Sequence, residues 1–187
     1  MKLSLLGLLL LPFLSVGCSS CSSSSNTPAA TFNLPPGPLT SDGLVMTDIG
    51  GGDDSANSIQ VQEDGRIVVT GTTFNGTDND IALLRYLENG QLDPSFGEDG
   101  MVTIDISNTD DHASHLLIQE DGKLVVSGYT SNGADNDFAL LRFHQNGETD
   151  LTFGTGGSAV TDLLGTEGIG DTVLQLENGN YLQGGMV

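Results

Sequence analysis

The chain has 187 residues, of which 25 are acidic and only 5 basic, for a formal net charge of −20. A surface this negative repels nucleic acid and anionic membrane faces, so neither is a partner held by charge attraction. It also leaves many carboxylates open to divalent cations. Cys18 and Cys21 are the two cysteines, too few for a disulfide framework.

At the N-terminus, Met1 and Lys2 precede an apolar run from Leu3 to Val16. The run has the length of a signal-peptide core and is too short to span a bilayer. It ends at Gly17-Cys18, which resembles a bacterial lipoprotein signal whose cysteine becomes the acylated first residue of the mature chain. Cys18 is therefore the candidate lipidation site. Leu14 lies one place upstream of the usual position and Ser15 occupies it, so ordinary signal cleavage with a secreted product stays the alternative. Residues 1–17 are read as the signal peptide and 18–40 as a tether. Ser19 to Ser25 give the tether its flexibility, and Pro35, Pro36 and Pro38 stiffen its end.

From residue 41 onward a unit of 57 residues repeats without insertion: Asp48, Asp105 and Asp162 keep this spacing, as do Gly71, Gly128 and Gly185. Roughly half of the positions are identical between the first two copies, which marks a true internal duplication. Repeat 1 covers 41–97, repeat 2 covers 98–154, and a partial repeat 3 covers 155–187. Each copy opens with a short apolar run: Leu44 to Ile49, Met101 to Ile106, then Ala159 to Leu164. A Gly/Asp/Asn-rich loop follows. Ser58 to Gln62 then alternates polar and apolar residues, as a half-buried strand does. Asp64-Gly65 and the β-branched run at Ile67 to Val69 predict a hairpin closed by a two-residue Asp-Gly turn. Asp121-Gly122 and Asn178-Gly179 are its counterparts, each pair expected to supply positive φ. Ile81 to Leu87 and Phe138 to His144 are short and bounded by turn residues, so their length favours strands over helices. Asp93-Pro94-Ser95-Phe96-Gly97 and Asp150-Leu151-Thr152-Phe153-Gly154 close the unit, with Phe96 or Phe153 expected to plug the junction between neighbours.

Four short strands per repeat of this length predict an all-β, β-propeller-like chain of tandem four-stranded blades, two complete and a truncated third. The run Gln62 to Val69, the segment Asp80 to Tyr86 and the stretch Asn89 to Gly97 resemble the delta-60 repeat of bacterial secreted β-propeller-like proteins. So do Asp121 to Val126 and Asp137 to Phe143. The resemblance spans about residues 42 to 187 and implies a propeller with no assigned chemistry. Propellers close with roughly four to eight blades, so three expectations stand for this chain: a fragment, closure by self-association, or an open stack. The first is favoured.

Asp78, Asp80, Asp135 and Asp137 are the candidate metal ligands, because Thr77-Asp78-Asn79-Asp80 and its copy gather the oxygens that calcium takes. The competing reading, and the weightier one, is that they form Asx-turns. Asp53-Asp54 and Asp110-Asp111 form a second acidic loop in each copy. Arg85 and Arg142 recur inside apolar strands and require acceptors; Asp93 and Asp150 are the expected partners, a ligand-facing role the alternative. His112, His115 and His144 have no equivalents in the first copy and define no repeated site. No catalytic residues are assigned. The sequence reads as an exported, lipid-anchored, non-enzymatic module of the bacterial outer membrane or cell surface, with a protein or glycan as partner and calcium as the one cofactor in view. The alternative is a carbohydrate-active or other hydrolytic propeller, which identical carboxylates in every copy and the lack of Trp argue against.

Overall fold

The computed structural model describes residues 15–16, 44–163 and 165–187. Cys18, the tether and all of the signal segment except Ser15–Val16 lie outside the described residues. Among the described residues twelve strands follow in order: β1 Ser15–Val16, β2 Leu44–Val45, β3 Asp54–Val61, β4 Ile67–Phe74, β5 Asn79–Tyr86, β6 Met101–Ile104, β7 Asp111–Ile118, β8 Leu124–Ser131, β9 Asn136–Phe143, β10 Ser158–Thr161, β11 Ile169–Gln175 and β12 Tyr181–Met186. The runs at Ile81 and Phe138, ambiguous between helix and strand by composition, are strands β5 and β9.

The strands form two antiparallel four-stranded sheets, β3-β4-β5-β6 and β7-β8-β9-β10, followed by the antiparallel pair β11-β12. Sheet and sequence repeat are offset by one strand. The apolar run that opens repeat 2 is β6, and it pairs with β5 of the preceding sheet, Ile81 opposite Ile104. In the same way β10 completes the second sheet by pairing with β9. Each blade is therefore closed by the copy that follows it, so the backbone hydrogen bonds of one repeat depend on its neighbour. β2 instead runs parallel to β1 for two residues.

The hairpin turns differ from the two-residue form expected. Gln62 N–H donates to the Arg66 carbonyl at 2.8 Å and Gly65 N–H to the Gln62 carbonyl at 3.0 Å. Only Gly65 has positive φ, +82°; Asp64 does not. This is a three-residue loop that ends on a glycine in the left-handed region. Asp64 contributes a side-chain acceptor rather than a backbone conformation: its Oδ1 takes the Arg66 N–H at 3.1 Å, and Asp121 and Asn178 do the same for Lys123 and Asn180.

β3 and β7 each carry a bulge, between Ala56 and Ser58 and between Ala113 and His115. The repeated glycines face these bulges. A Cβ on Gly71 would lie 1.8 Å from the Ser55 carbonyl oxygen, and one on Gly128 equally close to that of His112. Backbone approach, not turn formation, accounts for this pair.

The faces of adjacent sheets share one core. Val68, Ile81 and Leu83 from the first sheet pack with Leu116, Leu124, Val126, Leu141 and Phe143 from the second, and Phe96 completes the cluster, fully buried. The opposite face of the first sheet buries Val69, Leu84 and Tyr86 against Val45. Polar bonds add to the seam: Leu116 N–H donates to Ser58 Oγ at 3.1 Å, and Gly97 N–H to the Asn146 carbonyl at 2.9 Å. Phe153, the equivalent of Phe96, is only half-buried and meets the Tyr181 ring edge-on at 5.6 Å. Deleting a buried phenylalanine side chain costs about 3–5 kcal/mol. Phe96→Ala is expected to lower unfolding free energy by about that amount and Phe153→Ala by less than half as much, read from denaturant melts of both variants. Equal losses would contradict the asymmetric packing.

Candidate functional site

The junction between the two complete sheets has a polar rim at each end of its strands. At one rim the linker motif is a receptor for arginine. Asp93 Oδ1 accepts the Ser95 N–H at 3.0 Å and the Ser95 hydroxyl at 2.7 Å, which aims Oδ2 at Arg85 Nε, 2.9 Å away. Arg85 Nη2 donates to Ser95 Oγ at 3.0 Å, and the guanidinium lies 4.7 Å from the centroid of the Phe96 ring. Its third arm, Nη1, crosses the junction to the Gln145 carbonyl of the next sheet. Arg66 adds a second ion pair to Asp93 Oδ2 at 2.9 Å. The sequence expectation that Arg85 pairs with Asp93 holds.

Arg142 repeats the arrangement with Asp150 at 2.9 Å, Thr152 and Phe153, its outer arm reaching the Tyr181 hydroxyl at 3.4 Å. Thr152 hydrogen bonds hold the Asp150 carboxyl down to about 2, against the pull of desolvation and with help from Arg142. For Asp93, burial pushes upward, but the Ser95 bonds and the charges of Arg85 and Arg66 outweigh it and set the group below its ordinary value. His144 Nε2 stands 3.9 Å from Asp150 Oδ1.

The opposite rim is acidic. Asn75 braces the β4–β5 loop: its Oδ1 accepts the Thr77 and Asp78 N–H groups, and its Nδ2 donates to Asp78 Oδ1 and, at 2.9 Å, to Asp80 Oδ2. Asn132 holds Asp135 and Asp137 in the same way. The four candidate residues from the sequence thus form two separate, amide-braced pairs. Across the junction Asp110 Oδ1 takes the Asn79 N–H at 3.0 Å and its side-chain amide at 2.8 Å, which lowers the Asp110 pKa.

Among the described residues, the carboxylates that converge are those of Asp80, Asp105 and Asp111, each offering an oxygen within 4.8 Å of the others. Asp80 comes from β5, Asp105 follows β6, and Asp111 opens β7. Asp105 Oδ1 accepts the Asn108 N–H, and Asp111 Oδ2 the Ile106 N–H at 2.6 Å. Asp80 Oδ1 and Asp111 Oδ1 are buried without a hydrogen-bond partner. Burial pushes Asp111 up to about 6, the Thr130 hydroxyl and Ile106 N–H opposing it and the charges of Asp105 and Asp80 adding to it. Burial also raises Asp80. Ionising Asp111 as pH climbs from about 4 through about 6 therefore costs stability. In the sequence Asp80 stands out as a candidate ligand and Asp110-Asp111 as a recurring acidic loop, whereas Asp105 is visible only as a marker of the period. The signal was the Asp48/Asp54 and Asp105/Asp111 recurrence, broken where Gly168 follows Asp162.

With this geometry established, the profile of a family described as "Domain of unknown function (DUF5122) beta-propeller" matches residues 62–96 and 119–153. Each matched segment begins just before the hairpin turn and ends on the phenylalanine beneath the arginine, so each contains one copy of the arginine receptor. Asp105 and Asp111 fall between the matched segments. No curated protein matches the chain significantly. Fold and matched pattern together define a β-propeller-type tandem repeat protein.

The lowered carboxyls fix a sign for acid stability. Their stabilisation is complete above the unfolded value near 4 and drains away as pH falls towards about 2. Thermal melts across this window are expected to show falling midpoints, with a shallower fall in Asp150→Asn. A limb unchanged by that substitution would contradict the assignment.

Proposed function

We propose that this chain is exported, acylated at Cys18 and held at the bacterial outer membrane or cell surface, where its blades serve as a non-enzymatic module with a binding or structural role. The observation that carries the reading is how the repeated polar residues are engaged. Arg85 and Arg142 are bound to Asp93 and Asp150 at 2.9 Å, and the loop amides of Asn75 and Asn132 to neighbouring aspartates. Groups that recur in both complete copies are thus tied into the scaffold, which suits a repeated frame better than one asymmetric reaction centre.

A protein or glycan partner has a natural seat in the open groove of about 610 Å³ between the hairpin turns of the two sheets. Gln62, Asp64, Gln119, Asp121 and Gln145 line it with amides and carboxylates, and Val61, Ile118 and Leu174 are among the aliphatic residues that form an apolar wall of similar extent. Such a lining suits a hydroxyl-rich or basic ligand.

Support for anchoring comes from the apolar run ended by Gly17-Cys18 and from the Ser-rich tether. Cleavage before Cys18 would remove β1, whose two-residue pairing with β2 is separate from both four-stranded sheets. Among the described residues no helix is long and apolar enough to cross a membrane.

Metabolic labelling with radioactive palmitate in a bacterial host tests the reading. The full-length chain is expected to take up label and fractionate with outer membranes. Cys18→Ser is expected to lose the label and appear in the soluble exported fraction. Export without any label on the unmodified chain would overturn the anchor.

A further inference from the structure

We propose that Asp80, Asp105 and Asp111 form a calcium site that locks the first complete blade to the second. The three carboxylates approach from three different elements, and the oxygens they offer lie within 4.8 Å of one another. Two oxygens on opposite sides of one calcium ion, each at its usual distance of roughly 2.3–2.6 Å, are separated by about this much.

Each carboxylate has one oxygen fixed by a structural bond. Asn75 Nδ2 holds Asp80 Oδ2, the Asn108 N–H holds Asp105 Oδ1, and the Ile106 N–H holds Asp111 Oδ2. The residues are thereby aimed before any ion arrives. The second observation is independent of the clustering. Asp111 is 0% exposed and Asp80 8%, yet Oδ1 of each has no hydrogen-bond partner. Buried carboxylate oxygens left in this state are strongly disfavoured unless a cation or another donor meets them.

Among the described residues no Lys or Arg side chain supplies that cation. Arg66, Arg85, Lys123 and Arg142 all make their ion pairs at the opposite rim, with Asp64, Asp93, Asp121 and Asp150. Lys2, the fifth basic residue of the sequence, lies outside the described residues. The counter-charge comes from solution, and an all-oxygen donor set selects a hard cation. Asp105 is on the exposed side, leaving room for water to complete the shell.

The next junction is a control built into the chain. Asp137 and Asp162 occupy the places of Asp80 and Asp105, and Asp137 Oδ1 is likewise buried and unpartnered, but Gly168 stands where the third carboxylate would be, so three carboxylates do not converge there. One ion per chain is therefore expected, at the first junction. This inference concerns the stability of the frame and stands whether or not Cys18 is acylated.

The test is a titration of the purified full-length chain with calcium chloride alone, followed by thermal melts in millimolar calcium and in chelator. The expected results are a stoichiometry near one and a melting midpoint higher by roughly 5 °C in calcium. Asp111→Asn is expected to abolish both the binding heat and the shift. In chelator it should melt no lower than the unsubstituted chain, because a buried, unneutralised charge has been removed; this separates loss of the site from failure to fold. Asp137→Asn is expected to keep the full calcium response. Identical melts with calcium and chelator would overturn the site, as would an undiminished response in Asp111→Asn or a response lost in Asp137→Asn.

Discussion

Arg85 places a full positive charge in the seam between two β-sheets, at 4% exposure, and the first junction depends on its being satisfied there. A guanidinium has five N–H donors and never releases its proton, so burial is tolerable only if its acceptors are fixed in advance. The linker does this within a few residues. Asp93 is oriented by Ser95, Ser95 also accepts from the arginine, and Phe96 gives its ring face to the cation. Having anchored the guanidinium to its own blade, the chain directs the remaining arm at a backbone carbonyl of the next. Because a main-chain acceptor is the target, the contact does not depend on which side chain follows in the neighbouring copy.

Phe96 couples this clamp to the core. The same ring that faces Arg85 is packed among leucines and valines of both sheets. Polar and apolar terms thus act on one geometry, so that displacing the linker would leave a buried charge short of acceptors and a cavity in the core together. The second junction has the same parts, more loosely assembled: Phe153 is half-buried and Arg142 reaches a phenol rather than a carbonyl. The offset between repeat and sheet works in the same direction. Each blade takes its last strand from the following copy, so hydrogen-bonded ladders as well as side chains tie neighbours together.

The sequence made some of this legible and hid the rest for identifiable reasons. The arginine–aspartate pairing could be read because both residues recur at constant separation and a buried arginine must be matched. The strands β5 and β9 followed from length and flanking turns. Which sheet β6 joins could not be read, since Met101 to Ile104 has the same apolar pattern beside either neighbour. The Asp-Gly dipeptides suggested a two-residue turn; the Gln62–Arg66 hydrogen bond that lengthens the loop depends on strand register, which a dipeptide does not encode. The converging acids were hidden for the same kind of reason. Asp80, Asp105 and Asp111 belong to three elements of two blades, and only the crossover from β6 to β7 brings them together.

The seam makes the two complete blades one cooperative unit rather than two sheets in contact. Native-state hydrogen exchange over a denaturant series tests it most directly, at the seam amides of Gly97, bonded to the Asn146 carbonyl, and Leu116, bonded to Ser58 Oγ. These amides are expected to share the opening free energy of interior amides in β4, β5, β8 and β9, and all of them to lose protection in one transition. Seam amides that exchange through a separate low-energy opening, while each sheet keeps its own protection, would contradict it.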